Sequence, residues 1–200
     1  MAYNPDDPYA RKARQERYLA RSVYKLKEMD GLFRKGQRIL DLGAAPGSWA
    51  QYVSECIGSR GALLVIDLKP VRLDLPNAVF VAADLYEAAW PSVAEAAGVP
   101  PPFDGVISDM APATSGVRNT DQARSAALCE FALYLAANRE ALRPGGFFVA
   151  KMFEGPDTAA FRALLEQGFS KTRLIRPKST RKTSTEVFFV GQGFSGKPAF

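Results

Sequence analysis

"ILDLGAAPGSWAQYVSE", residues 39–55, passes from an apolar run to a loop of small residues and then to a helix-compatible run headed by a tryptophan. Read as strand, loop and helix, it sets the fold, because in an open α/β sheet the first such unit is the usual ligand cradle, at the carboxyl end of its strand. Gly43 and Gly47 allow a ligand close to the backbone. Further apolar runs follow at "ALLVID", "AVFVAAD", "DGVISD" and "GFFVAKMF", with helix-compatible stretches between most of them. That alternation predicts a parallel sheet covered by helices on both faces. The helices expected are "SWAQYVSECIG", a short piece after Asp84, and a long one from about Thr120 to Leu142 ending at "RPGG". After "TAAFRALLEQG", the runs "FSKTRLIR" and "TEVFFVGQGF" leave no room for a helix between them, so the last two strands pair antiparallel.

Two hundred residues, 47% of them hydrophobic, suit one well-cored domain over 1–200. The polar N-terminus and the lack of a long apolar run predict a cytoplasmic protein with no membrane segment. Cys56 and Cys129, far apart in helix-like contexts, read as free, buried thiols. With no histidine, the usual zinc clusters and Ser-His-Asp triads are excluded, no metal is expected, and acid–base work falls to Lys, Asp, Glu or Tyr.

The net charge of +5 is unevenly spread. Residues 1–38 hold ten Lys/Arg against five acids, 39–170 nine against fifteen, and 171–182 six against none. Basic ends around an acidic middle suit a polyanionic partner such as nucleic acid, gripped by the termini. A basic helix is predicted over about 10–33, with Arg14, Arg17, Arg21 and Lys25 on one face and Leu19, Val23, Leu26 and Phe33 on roughly the opposite one.

Acids close four successive strands: Asp41, Asp67, Asp84 and Asp109. Asp67, twenty residues past Gly47, is placed to accept hydrogen bonds from ribose hydroxyls, and Asp84 to face an adenine. The loop G-A-A-P-G lacks the G-x-G-x-x-G pattern that seats a pyrophosphate. The carboxylate of Asp41 opposes a diphosphate and suits the ammonium and sulfonium of S-adenosyl-L-methionine, so a methyl donor fits better than a nicotinamide cofactor. Cys129 lies mid-helix, unlike a cytosine-C5 nucleophile, and "DMAPATSG" replaces the Asn/Asp-Pro-Pro-aromatic segment common in amino-methylating enzymes. A hydroxyl acceptor remains. Lys151, ending the strand "FFVAKMF", would stand beside Asp109 on adjacent strands and serve as base. Lys25 and the sulfonium would loosen its proton, and Asp109 and Glu186 would hold it.

The ordered motifs "RSVYKL", "DLGAAPGSW", "VIDLKP", "DMAPATSG", "VAKMFEG" and "RPKSTRKTSTEVFFVGQGF" resemble the FtsJ/RrmJ-type ribosomal RNA 2′-O-methyltransferases over about residues 20–194. The resemblance implies a Rossmann-like methyltransferase fold, a seven-stranded mixed sheet of order 3-2-1-4-5-7-6. It implies a catalytic tetrad of Lys25, Asp109, Lys151 and Glu186, and cofactor contacts at Gly47, Trp49, Asp67, Asp84 and Asp109. It also implies methylation of a uridine ribose in 23S rRNA on the large ribosomal subunit, by a monomer. Relatives acting on tRNA, mitochondrial rRNA or mRNA caps share the tetrad, and a small-molecule O-methyltransferase would share the cofactor edge. Ala113 and Thr114 stand where the family often has Asn-Met, and Ser48 where it often has a second glycine.

Overall fold

A computed structural model describes residues 7–29, 31–88, 90, 92–138, 140–181 and 183–197. Thirteen elements follow in the order α1 (Pro8–Gln15), α2 (Val23–Lys27), β1 (Arg38–Leu42), α3 (Ser48–Ile57), β2 (Ala62–Asp67), β3 (Ala78–Ala82), α4 (Ser92–Ala96), β4 (Phe103–Ser108), α5 (Arg118–Asn138), β5 (Leu142–Phe153), α6 (Thr158–Gly168), β6 (Phe169–Ile175) and β7 (Glu186–Phe194). The strands form one sheet of order β3-β2-β1-β4-β5-β7-β6. β1 through β5 run parallel, and β7 lies antiparallel between β5 and β6, as the missing crossover helix requires.

The central strands are near-continuous apolar runs because both of their faces are covered. Alternate residues feed two cores. Leu40, Leu42, Leu64, Ile66, Val106 and Phe148 pack toward α5 and α6, while Ile39, Leu63, Val65, Ile107 and Val149 pack toward α2 and α3 with Trp49, Val53 and Ile57. Gly47, the N-cap of α3, has φ 111°. Gly43, φ 73°, lies against the backbone of Met110, where an added Cβ would come within 2.7 Å of the Met110 Cα. The first loop is thus pressed onto the end of β4, and Gly43 is required by that contact.

Two expectations fail. The basic helix over about 10–33 is two short helices, α1 and α2, separated by a turn in which Arg17 takes φ 62°. Residues that would share one face of a single helix are drawn to different partners: Tyr18 donates to Glu55 (2.7 Å), Arg21 pairs with Asp7, and Lys25 pairs with Glu186. Val23 and Leu26 are buried as expected, but Leu19 is exposed. The long helix α5 ends at Asn138, and "RPGG" lies inside β5. Glu140, at φ 56°, turns the chain without a glycine.

Candidate active site

The carboxyl ends of β1, β2, β3 and β4 frame an open cleft of about 400 Å³, within the roughly 300–1,000 Å³ of small-molecule sites. Gly43, Asp67, Asp84, Tyr86, Asp109 and Phe131 are among the residues on its walls. Backbone N–H groups fix the acids at its rim. Asp67 accepts from Ala45 N through Oδ2 and from Lys69 N through Oδ1, each at 2.8 Å, and Asp84 Oδ1 accepts from Tyr86 N at 2.9 Å. A carboxylate has about four acceptor positions, so each retains capacity for a ligand hydroxyl or amine.

Asp41, at the end of β1, is wholly buried, and neither carboxylate oxygen has a hydrogen-bond partner. Burial first, then the negative charges of Asp109 and Asp67, raise its carboxyl pKa well above the ordinary range. Three acids crowded at one sheet edge disfavour a diphosphate and favour a cation. This environment and the cleft's size fit S-adenosyl-L-methionine, which carries both an ammonium and a sulfonium.

On the other side of Asp109 lie two lysine–carboxylate pairs. Lys151 Nζ stands 2.7 Å from the Asp109 carbonyl oxygen and 2.8 Å from Oδ1. The carbonyl takes the directed hydrogen bond; Oδ1 makes a close ion pair that is not aligned as one. Lys25 Nζ lies 2.5 Å from Glu186 Oε2, which also accepts from the Ser184 hydroxyl at 3.0 Å. Burial pushes the Glu186 carboxyl up, but the charge and hydrogen bond of Lys25, the charge of Lys151 and the Ser184 hydroxyl outweigh it, leaving its pKa below the ordinary glutamate range.

Register explains the convergence. Glu186 pairs with Phe153, two residues past Lys151, so the two share a face of the sheet. Because β7 is antiparallel, its first residue lies at the edge where β4 and β5 carry Asp109 and Lys151 toward their ends. Lys25 reaches this group from α2, which packs over that face.

Not every expected cofactor residue lines the cleft. Trp49 is 1% exposed, donates its indole N–H to Ser22 O (3.0 Å), and packs on Phe188, which pairs with Lys151 in register. Its ring therefore supports the lysine pairs, and the cleft wall is made by other side chains. Gly47 is also absent from the lining; a Cβ there would meet Leu73 Cδ1 at 2.5 Å. Ser48, buried at the start of α3, bonds the Ser22 hydroxyl at 2.8 Å and fixes α3 to the start of α2.

Residues not singled out from the sequence also form the site. Lys69 and Met110 line the cleft just past Asp67 and Asp109, where a rule of reading on from each strand-ending acid would have found them. Phe131, on α5 and stacked on Tyr86 at 4.0 Å and 19°, has no local signal. Cys129, buried in α5 as a free thiol, donates to Lys151 O at 2.8 Å, and Ser125 Oγ accepts from Phe153 N at 2.9 Å. Among the described residues no group of three or more His, Cys, Asp or Glu could hold a metal ion, and no helix is long and apolar enough to cross a membrane.

An open α/β sheet with a cation-favouring cleft at its switch point and a buried lysine beside it defines an S-adenosylmethionine-dependent methyltransferase. The model of the FtsJ-like methyltransferase family matches residues 18–194, and the chain belongs to that family. It is 50% identical over 194 residues to the ribosomal RNA large subunit methyltransferase E of Bdellovibrio bacteriovorus, covering 96% of this chain and 98% of the relative. The protein of that name from Oleidesulfovibrio alaskensis is 45% identical, over 97% and 94% of the two chains. Among solved structures, a ribosomal RNA methyltransferase from Plasmodium falciparum superposes with TM-score 0.75 at 26% identity, over 90% of this chain and 100% of that one. Aeropyrum pernix fibrillarin, crystallised with S-adenosyl-L-methionine, shares the fold at TM-score 0.59 and 20% identity, over 85% of this chain and 76% of that one.

Proposed function

We propose that this methyltransferase modifies a ribose 2′-oxygen of RNA, a uridine in 23S rRNA of the large ribosomal subunit, acting as a cytoplasmic monomer. One observation carries the reading: Asp109 belongs both to the cleft and to the lysine group. A methyl held on the cleft side of Asp109 and a hydroxyl held on the Lys151 side would meet there.

S-adenosyl-L-methionine supplies, when bound, an electrophilic methyl carbon on a positively charged sulfur. Asp67 would hold the ribose hydroxyls, Asp84 the adenine end and Asp109 the end nearest the reaction. Lys151, once its ammonium has released a proton to solvent, takes the proton of the attacking 2′-hydroxyl as a neutral amine, steered by the carbonyl and carboxylate of Asp109. Lys25 and Glu186 neutralise each other at the back of the pocket and keep the lysine's surroundings fixed. Alignment supplies much of the acceleration, because the leaving group is already good.

RNA would lie over the basic N-terminal segment and over Lys171, Arg173, Arg176, Lys178 and Arg181; Lys182, expected in this patch, is outside the described residues. The target nucleotide must be unpaired or splayed for its ribose to enter. The relatives' names, which specify large-subunit ribosomal RNA, favour this substrate over tRNA or a small molecule. The test is transfer of a labelled methyl from S-adenosyl-L-methionine to large-subunit rRNA, with the modified ribose mapped. Labelling of a base, or of a small alcohol in preference to RNA, would refute the proposal.

A further inference from the structure

The β6–β7 loop, residues 176–185, and the N-terminal segment hold the two densest runs of positive charge in the chain, and side chains join them. Glu28, at the C-cap of α2, accepts from two successive loop amides, Lys178 N at 2.7 Å through Oε2 and Ser179 N at 2.9 Å through Oε1. Arg21 donates to the next group along, the Ser179 carbonyl. Asp7, the N-cap of α1, pairs with both Arg21 and, at 3.5 Å, Arg181. Three backbone groups of two adjacent loop residues are therefore held by side chains lying about 150 residues earlier.

The contacts are selective. Among the described residues Glu28 forms no ion pair with a side chain of the loop; both oxygens go to amide N–H groups, and the Lys178 side chain is exposed. A carboxylate that spends both oxygens on backbone donors shapes the loop while leaving its lysine's ammonium free of a direct ion pair with it. The same α2 helix carries Lys25 to Glu186 at the mouth of β7, so the loop, the N-terminal segment and the lysine group are mechanically one unit.

Resting on the RNA reading above, we infer that Glu28 clamps the N-terminal segment and the β6–β7 loop into one preassembled RNA-gripping surface, so that this carboxylate raises affinity for a polyanion. Charge alone gives the opposite sign, since deleting an acid from a phosphate-binding face should tighten binding. Preorganisation reverses it, because a loop already held in its bound shape has less to lose on ordering.

The experiment compares wild type, Glu28→Gln, Glu28→Ala and Glu16→Ala by fluorescence anisotropy with a labelled rRNA hairpin carrying an unpaired loop, at two salt concentrations. Glu16 lies on the same segment and makes its ion pairs with Lys12 and Lys27 of that segment. Glu28→Ala should bind about 3- to 10-fold more weakly than wild type, with Glu28→Gln between them, and Glu16→Ala should bind equally or more tightly. Hydrogen exchange should show the Lys178 and Ser179 amides exchanging faster in Glu28→Ala while the β5 and β7 amides stay protected, which also reports whether the variant folds. RNA binding by Glu28→Ala or Glu28→Gln that equals or exceeds wild type would overturn the clamp, as would unchanged exchange at those amides. Failure of the wild-type chain to bind the hairpin in a salt-dependent way would instead remove the RNA reading, and the clamp's purpose with it.

Discussion

The parallel half of the sheet and its antiparallel end meet at Asp109 and present opposite surfaces. Strand β2 ends in Asp67 and Asp84 follows just past β3, both on the wall of an open cleft, with Asp41 buried behind them and its pKa raised by burial and by the charges of Asp109 and Asp67. Strands β5 and β7 offer Lys151 and Glu186, each already matched to a partner of opposite sign. The contrast follows from ligand charge. A cationic cofactor is attracted by uncompensated carboxylates, whereas a reacting hydroxyl needs a proton acceptor whose position is fixed beforehand. The chain builds the second surface by reversing a strand: a parallel β7 would have brought Phe194 to this edge in place of Glu186.

If the two halves divide the work in this way, substitutions should separate them. Lys151→Ala carries the largest expected effect, a fall of roughly 10²- to 10⁴-fold in methyl transfer with cofactor affinity little changed. Single-turnover transfer and calorimetric titration of S-adenosyl-L-methionine check the two quantities on one preparation. Wild-type-like turnover would remove the lysine from the proton's path. Asp67→Ala is the converse: about 10- to 100-fold weaker cofactor binding, from lost charge-assisted hydrogen bonds, with turnover at saturating cofactor largely retained. A turnover collapse as deep as that of Lys151→Ala, with cofactor saturating, would mean that the division at Asp109 is false.

How much of this division could be read from residues alone depends on the range of the interaction. The strands were legible because burial on both faces demands continuous apolar runs, and the antiparallel end because the ten residues of basic turn at 176–185 cannot hold a crossover helix. Asp109 and Lys151 were legible as neighbours because adjacent parallel strands carry their ends to one edge. The break between α1 and α2 was not, since the pulls on Arg21 and Lys25 come from Ser179 and Glu186, more than 150 residues away. Spacing by threes and fours reports only what a helix would do if nothing else competed. Trp49 illustrates the same limit: its place at the head of α3 suggests a ligand, while its indole is spent on Ser22 and Phe188. Ser125 and Cys129 read as small core residues, yet their polar atoms meet the backbone of β5 on either side of Met152.

The antiparallel side should also be the more acid-sensitive. Because folding depresses the Glu186 pKa, its contribution to stability is present above the unfolded value, near 4.3, and is lost as pH falls through the folded value. Glu186→Gln should therefore destabilise by about 1 to 2 kcal/mol near neutral pH, with the difference from wild type shrinking as pH falls below the ordinary glutamate range. Thermal melts of the two proteins across that range provide the measurement. A gap that persisted undiminished in acid would show that the side chain's packing, and not its charge beside Lys25, is what matters.

The smallest effect concerns the outer rim of the antiparallel end, where cations are not equivalent. Arg176 is engaged with Glu154 and donates to Ser184 O at 3.1 Å, whereas the Lys178 side chain is exposed while its backbone is held by Glu28. A phosphate can displace the ammonium's water shell directly, but to recruit Arg176 it must compete with a carboxylate already in place. Counted as two charges, the double variant Arg176→Ala and Lys178→Ala should lower the salt slope of RNA binding by nearly two; the pairing predicts a fall of about one, most of it reproduced by Lys178→Ala alone. Equal contributions from the two single variants would show that RNA displaces Glu154 from Arg176 on binding, and the rim would then be a surface whose charge is released by its substrate.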